Sequence, residues 1–123
     1  MMRALGFFLL CCPSTAMSQD VASAPSGTLR WLDKISGVTE DIDIAVGETQ
    51  THGRLAIKLD DCRYPVNDPA SNAFAHLIIR DSLQEDPVFM GWMIATSPAL
   101  SALDHPRYDV WVLRCKTPDA VTE

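Results

Sequence analysis

Arg54-Leu55-Ala56-Ile57-Lys58-Leu59-Asp60 alternates without a break, with Leu55, Ile57 and Leu59 on one side and Ala56, Lys58 and Asp60 on the other. A period of two is the pattern of a strand with one face in a core and the other in water. One wet face belongs to antiparallel sheets, because parallel strands are covered on both sides. This segment sets the expectation for the rest of the chain.

Working back towards the N-terminus, Gly47 to Gly53 reads as a polar loop and Ile42-Asp43-Ile44-Ala45-Val46 as another alternating strand. Leu29 to Ile35 forms a strand with Leu29, Trp31 and Ile35 on one face. The Gly37 to Asp41 link is short enough to join these two as a hairpin. Working forward, Tyr64 to Ser71 holds two prolines and reads as a loop; Ala73 to Arg80 and Val88 to Ala95 are strands around an acidic turn. Thr96-Ser97-Pro98 has the chemistry of a helix start, with a hydroxyl to accept free N–H groups and a proline that has none to leave unpaired. Ala99 to Leu103 would give about one and a half turns before Asp104-His105-Pro106 stops it. Tyr108 to Cys115 is the last strand. The pattern predicts a mostly β chain, a small antiparallel sandwich or barrel of about six strands with one short helix. Its single domain spans residues 28–116, after a flexible leader over 19–27 and before a polar tail over 117–123.

The N-terminus reads as an export signal. Arg3 precedes an apolar run from Ala4 to Cys12, too short to span a bilayer, which needs about 20 residues. Small residues follow, and Ala16-Met17-Ser18 offers a cleavage site that leaves residues 19–123, with no integral membrane span and a periplasmic destination. Leu10 before Cys11 argues against lipid attachment. The formal charge is −6, and −7 without Arg3. Such a chain is a poor partner for nucleic acid or an anionic membrane, both of which need clustered Lys and Arg. Cleavage also discards Cys11 and Cys12, leaving Cys62 and Cys115 as a pair in an oxidising compartment. No Cys-x-x-Cys spacing points to redox chemistry, and a disulfide closing about 53 residues would destabilise the unfolded chain by roughly 4 kcal/mol.

Few residues invite chemistry. Ser97, Ser101, Asp104 and His105 are near one another in sequence, but no nucleophile elbow is present, and adjacency does not aim a carboxylate at an imidazole. His52, His76 and His105 lie on separate elements, so no metal site is predicted. Glu40-Asp41-Ile42-Asp43 and Asp60-Asp61 lack calcium-loop spacing. No catalytic residue and no cofactor are expected. Phe89-Met90-Gly91-Trp92-Met93-Ile94-Ala95 and Tyr108-Asp109-Val110-Trp111-Val112-Leu113 stand out because neither strand has a polar face. Exposed Trp and Met suit desolvated contact, so Met90, Trp92, Ile94, Tyr108 and Trp111 form the candidate interaction surface. Trp92 and Trp111 would alternatively stack a glycan or small ligand. Gly91 is expected to leave room for Trp92 or Trp111.

Leu32-Asp33-Lys34-Ile35-Ser36-Gly37, Val46-Gly47-Glu48 with Gly53-Arg54-Leu55, Cys62-Arg63, and the stretch from Phe89 through Gly91-Trp92-Met93 to Tyr108-Asp109-Val110-Trp111 and Cys115 together resemble domain of unknown function 2155. That family consists of exported bacterial proteins with no assigned activity. The resemblance covers about Leu29 to Lys116, with Thr96 standing where serine is more usual. It implies no catalytic residues. The family's gene neighbourhood, beside an accessory subunit of the respiratory NADH dehydrogenase, implies an accessory role with an unidentified protein of an envelope complex, a respiratory one among the options.

Overall fold

A computed structural model of the chain describes residues 6, 9–13 and 20–118. The expected cleavage site at Ala16-Met17-Ser18 lies outside the described residues, as does all of the expected tail beyond Pro118.

Eight strands form two antiparallel sheets: β1 (Val21–Ser23), β2 (Ser26–Asp33), β3 (Thr39–Ala45), β4 (Thr49–His52), β5 (Leu55–Pro65), β6 (Phe74–Asp81), β7 (Phe89–Ile94) and β8 (Tyr108–Lys116). The larger sheet runs β1-β5-β6-β7, with β4 also paired to β5; the smaller runs β3-β2-β8. The sheets pack face to face and do not close, so the architecture is a sandwich and the barrel alternative falls away. Between them lie Leu29, Trp31, Ile42, Ile44, Leu55, Ile57, Leu59, Leu77, Ile79, Met93, Val110 and Val112, all buried. These are the alternate residues of their strands, and side chains interdigitating from two inner faces are what hold a sandwich together. No helix among the described residues is long and apolar enough to cross a membrane.

Several segments depart from the sequence expectation. The leader is structured: β1 pairs Val21 with Pro65 and Ser23 with Arg63, the Ala24 N–H donates to the Cys62 carbonyl at 2.7 Å, and β2 begins at Ser26. The polar loop contains β4, paired to β5 from Thr49↔Lys58 to His52↔Leu55. Both are edge strands held by main-chain bonds, so their side chains carry no alternation to read. The central strand continues past Asp60 through Cys62 to Pro65, because a bulge at Asp60 lets the ladder resume at Asp61↔His76. The first strand stops at Asp33, whose carboxylate accepts the Ile35 N–H at 3.0 Å, so Ile35 sits exposed in the hairpin turn.

The expected short helix is a single 3-10 turn, Pro98–Leu100, and the Ser97 hydroxyl makes no capping bond. Opening a helix costs more than one turn returns, and this connection is held from its far end. Leu103 is buried, and the Lys34 ammonium donates to the His105 carbonyl at 2.6 Å.

Cys62 on β5 and Cys115 on β8 are disulfide-bonded across the two sheets, with Cα atoms 5.8 Å apart. Gly27 lies beneath: a Cβ there would meet Cys62 Sγ at 3.0 Å and the Arg114 carbonyl oxygen at 3.3 Å.

Candidate functional site

The outer face of the larger sheet is where the strands place side chains that the core does not take. Register sets three cross-strand rows: Arg63–Phe74–Ile94, Asp61–His76–Trp92 and Lys58–Ile78–Met90. The β7 end of these rows is apolar. Met90 is 62% exposed and Trp92 39%, while Ile94, Phe74 and Ile78 are half-buried. Val21 from β1 joins Arg63, Phe74, Trp92 and Ile94 around a shallow depression of about 260 Å³. Phe74, Ile78 and Val21 were not singled out in the sequence. The parity of Ala73 to Arg80 could have found the first two, since Phe74, His76 and Ile78 alternate with the core residues Ala75, Leu77 and Ile79.

The charged groups nearest Trp92 are paired. The Arg63 guanidinium lies over the Trp92 ring at 5.1 Å and is bound to Asp61 at 2.8 Å. His76 meets the Trp92 ring edge-on with centroids 5.1 Å apart and lies 3.1 Å from Asp60. One face of Trp92 is therefore covered by a cation, and an imidazole packs against the ring at a steep angle.

The remaining members of the expected surface go elsewhere. Tyr108 is buried. Its ring stacks on Trp31 at 5.5 Å between centroids, and its hydroxyl accepts the Arg54 N–H at 3.3 Å. A Cβ on Gly53 would sit 2.7 Å from that hydroxyl. The reason is parity: Tyr108, Val110 and Val112 share the inner face. Trp111 belongs to the other sheet, half-buried on its outer face and in register with Arg30. That face is polar, with Arg30–Asp41 at 2.7 Å and Lys116–Asp43 at 3.1 Å. The pairing with Arg30 holds Asp41 below the usual carboxylate range, and the Thr28 hydroxyl with Lys116 does the same for Asp43. Gly91 leaves no room for either tryptophan; a Cβ there would meet only the Phe89 ring, at 3.7 Å.

Met90–Ile94 and Trp111 nevertheless flank one feature. β7 and β8 are the terminal strands of their sheets, and the sandwich stays open between them. A cavity of about 370 Å³ occupies this seam, lined by Met93, Ile94, Val110, Trp111 and Val112 and bounded by the Pro98–Ala102 part of the connection.

The three histidines each face a carboxylate: His52 and Glu40 at 3.0 Å, His76 and Asp60 at 3.1 Å, His105 and Asp81 at 2.7 Å. The last pair is buried. His105 Nδ1 accepts the main-chain N–H groups of Arg107 at 3.0 Å and Tyr108 at 3.1 Å. The ring proton is therefore on Nε2 and is donated to Asp81. Both ring nitrogens are committed. No hydrogen bond among the described residues joins His105 to Ser97, Ser101 or Asp104, so the hydrolase constellation is not assembled. Asp81 also accepts the Leu83 N–H at 3.0 Å and lies 3.4 Å from Arg54. Its carboxyl is lowered to about 2, chiefly by the His105 hydrogen bond and then by the Leu83 N–H, against the opposing effect of burial. Nearby, Arg107 binds Asp33 at 3.0 Å. This polar cluster pins the start of β8 to the end of β6.

No solved structure matches the chain. A protein of Rickettsia prowazekii, described as "Uncharacterized protein RP359", is 29% identical over 101 residues, covering 80% of this chain and 65% of that protein. The chain thus spans somewhat under two thirds of the relative's length. A family model described as "Uncharacterized protein conserved in bacteria (DUF2155)" matches residues 27–115. That range runs from the glycine beneath the disulfide to Cys115 and takes in β7, the seam and the buried His105 cluster; the chain belongs to the DUF2155 family.

Proposed function

We propose that the chain is an exported, non-catalytic interaction module of the bacterial envelope, and that it engages a protein partner through the outer face of the larger sheet around Met90, Trp92 and Ile94. The observation that carries this reading is the exposure of Met90 and Trp92 beside Phe74, Ile78 and Ile94 in one contiguous apolar patch. A protein gains nothing in stability from leaving such groups wet, and patches of this composition mark contact surfaces. The export reading is supported by the apolar N-terminal run and by the disulfide. A respiratory complex of the envelope is the setting that the family's gene neighbourhood favours. The glycan alternative has less support, since Arg63 already occupies one face of Trp92 and Trp111 lies on the opposite sheet.

Affinity capture from an envelope fraction tests the reading, using the native chain and a Met90→Ala/Trp92→Ala double variant. Trp at the centre of an interface contributes about 2 kcal/mol or more, so the variant should retain its partner roughly thirtyfold more weakly while melting at the native temperature. Equal capture by both proteins, or none by either, would count against the proposal.

A further inference from the structure

The patch ends at a strand edge that no described element covers. The Ala95 N–H donates to the Ala73 carbonyl at 2.9 Å, continuing the β6–β7 ladder. In an antiparallel ladder alternate residues bond to the same neighbour, so Met93 and Gly91 turn their main-chain groups to β6, and Trp92 and Met90 turn theirs outward. The Ile94 carbonyl, also outward, accepts the Ser97 N–H at 3.1 Å. Among the described residues no main-chain bond from another element reaches the outward side of Met90 or Trp92.

Free edges are normally protected by charges, proline, bulges or brevity. The other edges show such devices: β3 carries Glu40, Asp41 and Asp43, β1 has three residues and β4 has four. Phe89–Ile94 has no charge, no proline and no register shift. At the start of β8 the Tyr108 N–H is taken by His105. The seam beside β7 is left as an apolar cavity.

The charges around this edge are one-sided. Glu85 and Asp86 lie in the turn before β7, separated from it by Pro87 and Val88, Asp104 lies in the connection that borders the seam, and Asp109 lines the cavity. None of the four enters an ion pair among the described residues. Among the described residues Asp20, Glu48 and Asp68 also enter no ion pair but belong to other segments. Lys58 and Arg80, the cations of this sheet that pair with no carboxylate among the described residues, sit further in, on β5 and β6.

We propose that β7 is an acceptor edge for strand addition. The occupant is an extended segment of a partner protein, about six mostly apolar residues flanked by Lys or Arg. The added strand would lie beside β7 and bond to the outward groups of Met90 and Trp92. Its alternate side chains would extend the Trp92 face on one side and enter the seam cavity on the other, and its basic flanks would meet Glu85, Asp86, Asp104 and Asp109. Main-chain bonds supply affinity in this mode, and alternate side-chain pockets supply selectivity. The inference deepens the docking-face reading and rests on it.

The test uses the disulfide-bonded chain and hydrogen exchange of individual amides. The probe is a synthetic peptide with a Val-Thr-Val-Thr-Val-Thr core and two lysines at each end. Two controls are the same core with glutamates at the ends and the lysine peptide N-methylated at alternate core amides, in each of the two phases. The lysine peptide should slow exchange at Met90 and Trp92 at least tenfold and leave Gly91 and Met93 unchanged. The glutamate peptide and at least one N-methylated phase should not. Absence of slowing, or equal slowing by all peptides, would overturn strand addition. Slowing that appears without peptide as the protein is concentrated would overturn it too, by making a second copy the occupant. If the double alanine variant loses its envelope partner while the peptide leaves these amides unprotected, the docking face stands and strand addition fails. If the amides are protected and capture survives the double variant, the edge stands and the side-chain face fails.

Discussion

Asp81 shows how one buried carboxylate can organise a loop. It accepts hydrogen bonds from the His105 Nε2–H at 2.7 Å and the Leu83 N–H at 3.0 Å, and takes a guanidinium contact from Arg54. His105 in turn takes the N–H groups that open β8. The residue that sequence adjacency offered as partner, Asp104, is exposed and makes no hydrogen bond to the ring. Twenty-four positions separate Asp81 from His105, and nothing local in the sequence connects them. The consequence is acid sensitivity. The Asp81 carboxyl is lowered from 3.8 to about 2, mainly by His105. Asp33 is likewise lowered to about 2, first by Arg107 and then by the Ile35 and Ser36 N–H groups, with burial acting the other way. Because both folded values lie below the unfolded value, the stability they add is complete above about pH 4 and drains away as the pH falls towards 2. The urea midpoint should therefore hold steady between pH 7 and 5 and decline below 4. Asp81→Asn should lose about 2 kcal/mol at pH 7 and then decline less steeply on acidification, with Asp33 still supplying part of the slope. An identical acid profile in the two proteins would show that Asp81 carries no such role.

At the scale of elements, legibility followed the side-chain pattern. β3, β5 and β6 could be read because core and surface residues alternate along them, and β7 and β8 because they are apolar runs bounded by turn residues; so could the β2–β3 hairpin, with its short link. β1 and β4 could not, because they are short edge strands held by main-chain bonds to β5, which leave no periodic trace. The bulge at Asp60 hid the second half of β5 in the same way, since an extra residue inverts the parity that the eye follows. The candidate face was legible for Met90, Trp92 and Ile94 and misread for Tyr108, where the single polar residue Asp109, sharing the parity of Trp111, was the clue to which side faces out. The connection after β7 was misread because its cap chemistry suits a helix while its anchors are tertiary. A helix over Ala99 to Leu103 would place Leu100 and Leu103 on one face and bury them together. In the structure Leu103 is buried and Leu100 is 75% exposed. Leu103→Ala should accordingly cost about 2–4 kcal/mol, and Leu100→Ala should stay within about 0.5 kcal/mol, both measured by urea denaturation at neutral pH. Similar losses for the two would restore the helical reading.

For the whole molecule, the disulfide is a covalent cross-link between two sheets that the main chain itself joins three times. β1–β2 and β3–β4 carry the chain from one sheet to the other on one side, and the β7–β8 connection does so on the side where β7 and β8 are not paired. Cys62 and Cys115 tie β5 to β8, and β8 is the strand of the smaller sheet that borders the open side. A sandwich of this size has a typical stability of about 5–15 kcal/mol; a loop of 53 residues closed by a disulfide contributes roughly 4 kcal/mol in the chain-entropy description. Export and the staple then stand as linked proposals, because a reducing cytosol would withhold this contribution. Protein isolated from the envelope of its host should begin near Gln19 and show no alkylatable thiol until denatured and reduced. The Cys62→Ala/Cys115→Ala variant should lose roughly 4 kcal/mol in urea and unfold at correspondingly lower denaturant. Intact N-terminal sequence together with two thiols open to alkylation in the native protein would remove both the compartment and the staple.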